Sequence, residues 1–203
     1  MTGVSDGPLE RLRQAVERTS ALTCGRPPSG RGHDDADDHV GTIATDSARG
    51  FDPFPLLRAL HEAGARVAVI GQVAGIMHGS LELTGDLDLL WDGDPAQVDA
   101  LAHAFAVAGC HLLDEERRPV EPGPQAFLLR KVQFESPRVS GDCCTPALPW
   151  GTLPVRDFLA RSLTASDPDG LAVHYLRRED LIRMRRAIGR PKDLRRAEEL
   201  ENL

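Results

Sequence analysis

Helical and strand-like hydrophobic patterns alternate along the chain, and together they predict a mixed α/β (α+β) fold. Apolar residues at helical spacing predict one helix over 8–23. From residue 51 onward, short β-branched runs bounded by glycines alternate with helical stripes. This order favours a small mixed sheet flanked by helices, with a helical C-terminal segment. The predicted strands span 67–70, 86–91, 125–135 and 171–176, and the predicted helices span 56–63, 73–77, 97–108, 155–161, 179–188 and 192–203.

Residues 1–50 are expected to lie outside the main domain, as a helix followed by a linker. After Cys24 the composition shifts to Gly, Pro, Ser, Asp and His, which is typical of a flexible linker over 24–49. The run HDDADDH at 33–39 has the composition of a metal site. Because no flanking element would hold its side chains in place, a solvated acidic run is favoured. The domain is expected to span 51–203, including C-terminal helices within 178–203.

Composition and charge narrow the class of protein. The chain has 203 residues, of which 41% are hydrophobic, enough for one domain with an ordinary core. No apolar run reaches the roughly 18 residues of a spanning helix, and no secretory signal opens the chain, so a cytoplasmic protein without membrane association is expected. None of the four cysteines forms a C-x-x-C pair, which disfavours a zinc site. The net charge of −7 disfavours a general nucleic-acid binder, although arginines concentrated near the C-terminus form a local basic face.

The clearest chemical signal is carried by the stretch VAVIGQVAGIMHGSLELTGDLDLLWDGD. Because side chains alternate faces along a strand, Asp86 and Asp88 point to one side, about 7 Å apart, while the intervening leucines point into the core. Two carboxylates on one face suit a divalent cation such as Mg²⁺, which holds nucleotide phosphates in phosphoryl transfer. Gly71 ends the preceding strand at the start of a helix, where backbone N–H groups can donate to a phosphate. The sequence therefore predicts an anion-binding turn beside a metal site.

This stretch resembles the signature of the DNA polymerase β-like nucleotidyltransferase superfamily: an apolar strand, a glycine turn, a short helix and Asp-apolar-Asp. The segment IGQVAGIMHGS…TGDLDLL is similar to a bacterial subgroup that includes AbiEii-type toxins and related uncharacterised nucleotidyltransferases. The chain end, REDLIRMRRAIGRPKDL, resembles the closing motif of that subgroup. The resemblance covers about residues 51–203 and implies the polymerase β-like core fold. It also implies metal-dependent transfer of a nucleoside monophosphate from an NTP to an acceptor, with release of pyrophosphate.

The resemblance assigns roles to individual positions. Asp86 and Asp88 match the two metal-binding carboxylates, and Gly71 matches the first signature glycine. Gln72 replaces a second Gly or Ser, so its backbone N–H is expected to cradle phosphate while its bulk is expected to crowd the triphosphate. Lys192 matches a lysine that contacts nucleotide phosphate. A further nucleotide-binding position falls on α-helical sequence near the C-terminus, where Arg185 stands in place of a frequent Lys.

The third carboxylate of the family stays open at this point. Asp142 in SGDCCTP is the first candidate, with Cys144 in the equivalent slot and Glu135 in VQFES as rivals. This carboxylate serves as general base and second-metal ligand, so its loss threatens catalysis more than nucleotide binding. Glu82 falls where the subgroup commonly has Arg, which makes the local charge more negative. Thr84 is a further candidate nucleotide-binding residue, whose hydroxyl either bonds to its own turn or positions a carboxylate.

Three functions are compatible with these residues. The first is an active nucleotidyltransferase that uses Mg²⁺ or Mn²⁺ and an NTP, with a small molecule, tRNA or protein as acceptor. The second is a relative that retains the fold, has lost the chemistry and binds a nucleotide or a partner protein. The third is a toxin of a toxin–antitoxin pair that acts on RNA, which the basic C-terminal face permits and the net acidity disfavours.

Overall fold

Helices cover both faces of one mixed sheet in the computed structural model, which describes residues 7–32, 42–148 and 150–203. The mixed α/β class predicted from the sequence is confirmed. None of the helices in these ranges combines the length and the apolar character needed to span a membrane. The helices are α1 (Pro8–Thr23), α2 (Phe54–Glu62), α3 (Gly71–His78), α4 (Val98–Val107), α5 (Val155–Ala160), α6 (Arg178–Ile188) and α7 (Pro191–Glu201). The strands are β1 (Val67–Ile70), β2 (Leu87–Trp91), β3 (His111–Leu113), β4 (Pro119–Val120), β5 (Lys131–Glu135), β6 (Ser140–Cys144), β7 (Leu163–Ser166) and β8 (Ala172–Tyr175).

The strand order places β2 at the centre of the sheet. The order is β4-β3-β5-β6-β2-β1-β8-β7. β2 pairs antiparallel with β1 and parallel with β6, and β8 pairs parallel with β1. The remaining neighbours are antiparallel. Both neighbours of β2 therefore present side chains beside its acidic residues.

The two faces of the sheet are covered unequally. One face carries the main core, into which β2 directs Leu87 and Leu89 and on which α1, α2, α3 and α4 pack. The opposite face carries a smaller apolar cluster, which includes Leu90 of β2, Phe158 of α5 and Met184 of α6. Because alternate residues of a strand face opposite sides, Asp88 shares the second face with Leu90. The acidic side chains thus lie beside the smaller cluster rather than in the main core.

The N-terminal helix α1 belongs to the main core, unlike the separate element expected from the sequence. Leu9 and Leu12 are 3% and 0% exposed, respectively. Arg11 donates a hydrogen bond of 2.6 Å to the carbonyl of Met77 in α3. The predicted bounds of the helix agree with those of α1. Its contacts make it part of the domain that contains the candidate site.

The expected linker is held by hydrogen bonds in its described parts, 24–32 and 42–49. Arg26 donates to two carbonyl groups of the second part. The carboxylate of Asp46 accepts backbone N–H bonds of 2.8 and 2.9 Å from the first part. These local polar contacts order a segment that has few apolar residues, so hydrophobic patterning does not reveal it. The acidic run at 33–39 lies outside the described residues.

The strand predicted over 125–135 is divided in the structure. Its first part is a 3₁₀ helix, Pro124–Leu128, and only the remainder forms β5. Pro124 fixes its own φ and has no N–H for a sheet hydrogen bond, which favours this division. The sequence did not predict β3, β4, β6 or β7. Of these, β6 reads SGDCC, and Gly, Asp and Ser are poor strand formers.

Candidate active site

Three aspartates lie on the second face of the sheet, where β2 and β6 begin. Asp88 in β2 is paired in parallel register with Asp142 in β6, so the two side chains share a face. Asp86 immediately precedes β2. All three line one cavity of about 270 Å³. The alternation of Asp and Leu predicted for this strand is therefore present, since Leu87 is buried on the opposite side.

The cavity lies between the sheet and the C-terminal helices α6 and α7. Acidic side chains from the sheet face basic side chains from the two helices, and the turn after β1 forms a third side. The polar residues that line it, besides the three aspartates, are Gly71, Gln72, Arg185, Arg190, Lys192, Asp193 and Arg196. The apolar lining includes Trp150 and Ile188. The cavity thus contains carboxylates, which can bind a cation, together with basic side chains, which can bind an anion.

Gly71 places the backbone against the carboxylate of Asp88. Its φ is +63°, a conformation that glycine adopts without the steric cost of a side chain. A Cβ at this position would lie 2.1 Å from Oδ2 of Asp88. Gly71 also begins α3, whose first N–H groups have no partner within the helix. The glycine turn and the carboxylate of Asp88 therefore lie next to each other.

The loop before β2 holds Asp86 in place. The buried hydroxyl of Thr84 donates a hydrogen bond to Oδ1 of Asp86, so Thr84 positions a carboxylate. The next residue, Gly85, packs against the N-terminal segment. A Cβ on Gly85 would lie 2.5 Å from the Cα of Ala48. Ala48 therefore supports the loop that presents Asp86, a contact that no sequence pattern indicates.

The side chain of Gln72 is tied into a buried hydrogen-bond network. Its Nε2 donates to Oγ of Ser80 at 2.9 Å and to the carbonyl of Glu82 at 2.7 Å. Its Oε1 accepts from Arg185 at 2.8 Å. The sequence led us to expect the bulk of Gln72 to crowd a triphosphate, whereas its amide is hydrogen-bonded at both ends to protein groups. Gln72 instead connects the turn after β1 to α6.

Arg185 is a buried residue of α6 that forms hydrogen bonds with α3 and α7. The residue is 3% exposed, and its guanidinium donates to the carbonyl of Gly71 at 3.0 Å and to that of Arg196 at 2.9 Å. Burial lowers its pKa to about 10, and the positive charge of Arg196 acts in the same direction. Its hydrogen-bond partners in the described ranges are neutral oxygens. Arg185 therefore supports the glycine turn through the carbonyl of Gly71 and adds a positive charge next to this turn.

Lys192 lies at the start of α7 and lines the same cavity. Burial lowers its pKa, and the positive charges of Arg190 and Arg196 lower it further. The negative charges of Asp193 and, to a smaller extent, Asp86 oppose this shift in the pKa of Lys192. A lysine in this position can neutralise charge on a phosphate group bound in the cavity.

Glu82 compensates a buried arginine instead of adding unbalanced negative charge to the site. Its Oε1 accepts hydrogen bonds of 2.9 and 2.5 Å from Nε and Nη2 of Arg196, which is a buried residue. Arg195 lies 3.7 Å from the other carboxylate oxygen. The negative charge of Glu82, which stands where a cation was expected, is therefore balanced by the positive charges of Arg195 and Arg196 in α7.

Among the three candidates for the third carboxylate position, the structure brings Asp142 and Cys144 to the cavity. Asp142 has Oδ2 3.3 Å from Nζ of Lys131. Burial raises the pKa of the Cys144 thiol well above its usual value, and a neutral thiol is a poor ligand for a hard cation. Glu135 lies outside this cavity, because it pairs with Arg117 at 3.4 Å and lines a different cavity.

The donor atoms fit a divalent cation that is shared with a phosphate ligand. Carboxylate oxygens are hard donors that suit Mg²⁺, and Oδ1 of Asp142 is buried with no hydrogen-bond partner among the described residues. In the same part of the chain, no three or more His, Cys, Asp or Glu side chains are grouped so that they could hold a metal ion by themselves. Mg²⁺ at nucleotide sites usually takes one or two carboxylates together with substrate phosphates, so a complete protein cage is not required.

Residues that the sequence singled out in separate segments therefore meet at one cavity, with Thr84 directly behind Asp86. The sequence did not single out Arg196 or Ala48. The only signal for Arg196 was the density of arginines near the C-terminus, and the only signal for Ala48 was a small residue in a polar segment. No protein-family model matches the chain, and a search of curated proteins finds no significant match. The function of the site is therefore inferred from its own geometry and chemistry.

Proposed function

We propose that the protein is a nucleotidyltransferase, which transfers a nucleoside monophosphate from an NTP to an acceptor hydroxyl and releases pyrophosphate. One observation carries this proposal: the glycine turn, the paired aspartates of β2 and β6 and the basic side chains of α6 and α7 line a single cavity. A triphosphate with a divalent cation has the charges that complement these three groups. The resemblance of the strand–glycine–helix–strand segment to polymerase β-like nucleotidyltransferases supports the same reaction.

The side chains divide into those that bind the nucleotide and those that position others. Asp86 and Asp88 would hold Mg²⁺ or Mn²⁺, which when bound supplies positive charge to the phosphates of the NTP. N–H groups at the Gly71 turn donate to phosphate oxygens. Lys192 neutralises charge on the phosphates from the opposite side. Arg185 acts indirectly, because its contacts hold the carbonyl of Gly71.

In the proposed reaction, Asp142 receives the proton of the acceptor. Lys131 lies beside Oδ2, whereas Oδ1 has no hydrogen-bond partner among the described residues, so Oδ1 is assigned as the proton acceptor. As the proton leaves, the acceptor oxygen forms a bond to the α-phosphorus of the NTP. The bond from that phosphorus to the oxygen bridging the β-phosphate breaks, and pyrophosphate leaves with the electron pair.

The test combines NTP binding and turnover by the full chain. Each of the four NTPs is titrated calorimetrically with Mg²⁺ and with Mn²⁺, and transfer from α-labelled NTP is followed with a mixture of hydroxylated acceptors. Binding is expected to require the divalent cation and to weaken by about tenfold or more in Asp88→Asn. Asp99→Asn, an exposed change on α4, is the matched control and is expected to bind like the unaltered protein. A folded protein that binds no NTP with either cation would exclude the proposal.

A second candidate is a nucleotide-binding protein without turnover. It is favoured by the lack of a preassembled group of three metal-binding side chains in the described ranges. The same experiment separates the two. Cation-dependent NTP binding without release of pyrophosphate supports the second candidate, and pyrophosphate release that Asp142→Asn abolishes supports the first.

A further inference from the structure

A second cavity adjoins the candidate active site at β6. It has a volume of about 420 Å³ and is lined by β3, β5, β6 and the N-terminal segment around Asp46. Asp142 lines the first cavity, whereas its chain neighbour Gly141 and Ser140 line the second. Gln133, which is paired in register with Asp142, also lines the second cavity. Neighbouring residues of β5 and β6 around Asp142 therefore border both cavities.

Two buried oxygens with no hydrogen-bond partner lie on this boundary. They are Oγ of Ser140 and Oδ1 of Asp142, and among the described residues only Nε of Arg26 shares this condition. Ser140 and Asp142 are two positions apart in β6, so their side chains share a face. Buried polar atoms in native proteins nearly always have a partner. Bound groups are therefore expected on both sides of this boundary.

The charged groups that line the second cavity are already compensated. Arg117 lies 3.4 Å from Glu135 and donates to Gln133 at 3.3 Å. Asp46 accepts backbone N–H bonds from Ser29 and Gly30. A polyanion such as RNA requires uncompensated cations, and the described lining does not concentrate them. The other polar side chains that line the cavity are hydroxyl groups and an imidazole, from Ser47, Ser136, Ser140 and His111.

We infer that this second cavity, called here the acceptor cavity, binds a small, neutral, hydroxylated molecule that receives the nucleoside monophosphate. Its volume falls within the range of small-molecule sites, roughly 300–1,000 Å³. Ser140 and Gln133 orient one hydroxyl group of this molecule toward Asp142. The inference rests on the proposed transferase function. In the transfer step, the hydroxyl proton goes to Asp142, the hydroxyl oxygen bonds to the α-phosphorus, and pyrophosphate departs.

The inference is tested by narrowing the acceptor cavity without touching the nucleotide site. His111 is an exposed residue of the lining, so His111→Trp adds bulk at the cavity with little demand on the core. His103→Trp on α4, also exposed and outside both cavities, is the matched control. Ser140→Ala is a second variant, which removes the hydroxyl and leaves the fold undisturbed if His111→Trp fails to fold.

Two measurements are made with defined probes. Transfer from α-labelled NTP is followed separately to a mixture of neutral sugars and polyols and to bulk tRNA. Contact of the same neutral mixture with the protein is followed by saturation-transfer NMR in the presence of Mg²⁺ and a non-hydrolysable NTP analogue, and also in their absence.

The expected result is transfer to a neutral probe, reduced about tenfold or more by His111→Trp and by Ser140→Ala. NTP affinity is expected to stay within about twofold, because the two sites have separate linings, and His103→Trp is expected to match the unaltered protein. Transfer to tRNA alone, or equal effects of the two tryptophan variants, would overturn the inference. Failure to bind NTP would instead remove the proposed function. In that case, NMR contact that His111→Trp abolishes would still support the cavity as a site for neutral hydroxylated molecules. The absence of any NMR contact would overturn the inference.

Discussion

Gly71 and Asp88 touch across the β1–β2 pair, because a Cβ on Gly71 would lie 2.1 Å from Oδ2 of Asp88. The register pairs Ile70 with Asp88, so the turn that follows β1 folds directly over the carboxylate. The backbone proposed to receive phosphate and the side chain proposed to hold the cation are therefore fixed by the same hydrogen-bonded strands. A displacement of either one is expected to displace the other.

Gly71→Ala is expected to weaken binding of the Mg²⁺–NTP complex by about tenfold or more, because the methyl group would push Asp88 from its position. Backbone strain at φ +63° should also reduce the free energy of unfolding, by about 1–3 kcal/mol. Gly64→Ala is the matched control, since Gly64 has φ +67° and a Cβ there would meet nothing within 4 Å. Calorimetry measures the affinity and urea unfolding the stability. Equal losses of NTP affinity in the two variants would contradict the proposed contact.

Arg185→Met is expected to lower the free energy of unfolding by about 3 kcal/mol or more, because it leaves the buried carbonyls of Gly71 and Arg196 without this donor. NTP affinity should fall as well, since the glycine turn loses its support. Arg185→Lys should restore only part of either loss, because one ammonium group cannot reproduce the geometry of a guanidinium.

Arg186→Met is the control for this change on the same helix. Arg186 has a side chain that is 57% exposed and pairs with Glu201 at 2.6 Å. Exposed ion pairs contribute at most about 1 kcal/mol, so its urea midpoint should change little. A similar loss of stability in both variants would show that the buried hydrogen bonds of Arg185 do not make a special contribution to stability.

The identity of the third carboxylate can be tested with one pair of substitutions. Asp142→Asn is expected to slow nucleotidyl transfer by about 10²-fold or more, since the amide cannot accept the proton as a general base. Its NTP affinity should change far less than its rate. Glu135→Gln alters the rival carboxylate, which lies outside the active-site cavity but lines the acceptor cavity, and should slow transfer far less than Asp142→Asn. If the rate survives Asp142→Asn and falls in Glu135→Gln, the assignment is reversed.

The part of the site that the sequence predicted is the part encoded by local pattern. The β1 strand, the turn at Gly71 and the Asp–Leu alternation of β2 all lie within a short stretch of chain, and periodicity is sufficient to place them. The third carboxylate was different, because β6 has the composition of a loop. Only the parallel register between β2 and β6 distinguishes Asp142 from Glu135, and register is a property of strands distant in sequence.

The remaining features depend on partners that no local pattern can specify. Gln72 and Arg185 are separated by 113 positions, and Glu82 and Arg196 by 114. In the sequence, each of these residues is interpreted either as a departure from the signature that the chain resembles or as part of a charged surface. In the folded protein Gln72 hydrogen-bonds to Arg185 beside the glycine turn, and Glu82 forms an ion pair with the buried Arg196. The same is true of Ala48, whose contact with Gly85 appears only when the chain is folded.

His78 connects the protonation state of one side chain to the packing of α3 against the end of β8. Its Nε2 donates to the carbonyl of Leu176 at 2.8 Å, and its ring lies 5.1 Å from that of Tyr175. Burial lowers its pKa below the ordinary value, although the hydrogen bond to Leu176 opposes the shift. The folded protein therefore favours the neutral imidazole more strongly than the unfolded chain does.

Stability linked to His78 should consequently be complete above the ordinary histidine pKa of about 6.5 and be lost as the pH falls through the lowered value in the folded protein. The unfolded chain binds the proton first, so the free energy of unfolding should decrease as the pH falls below about 6.5. Urea titrations over this range measure the decrease, and His78→Gln should remove part of it. His103→Gln, which alters an exposed histidine on α4, should retain the full decrease. If His78→Gln shows the same pH dependence as the unaltered protein, the protonation of His78 does not control stability, and the decrease must come from other titratable groups.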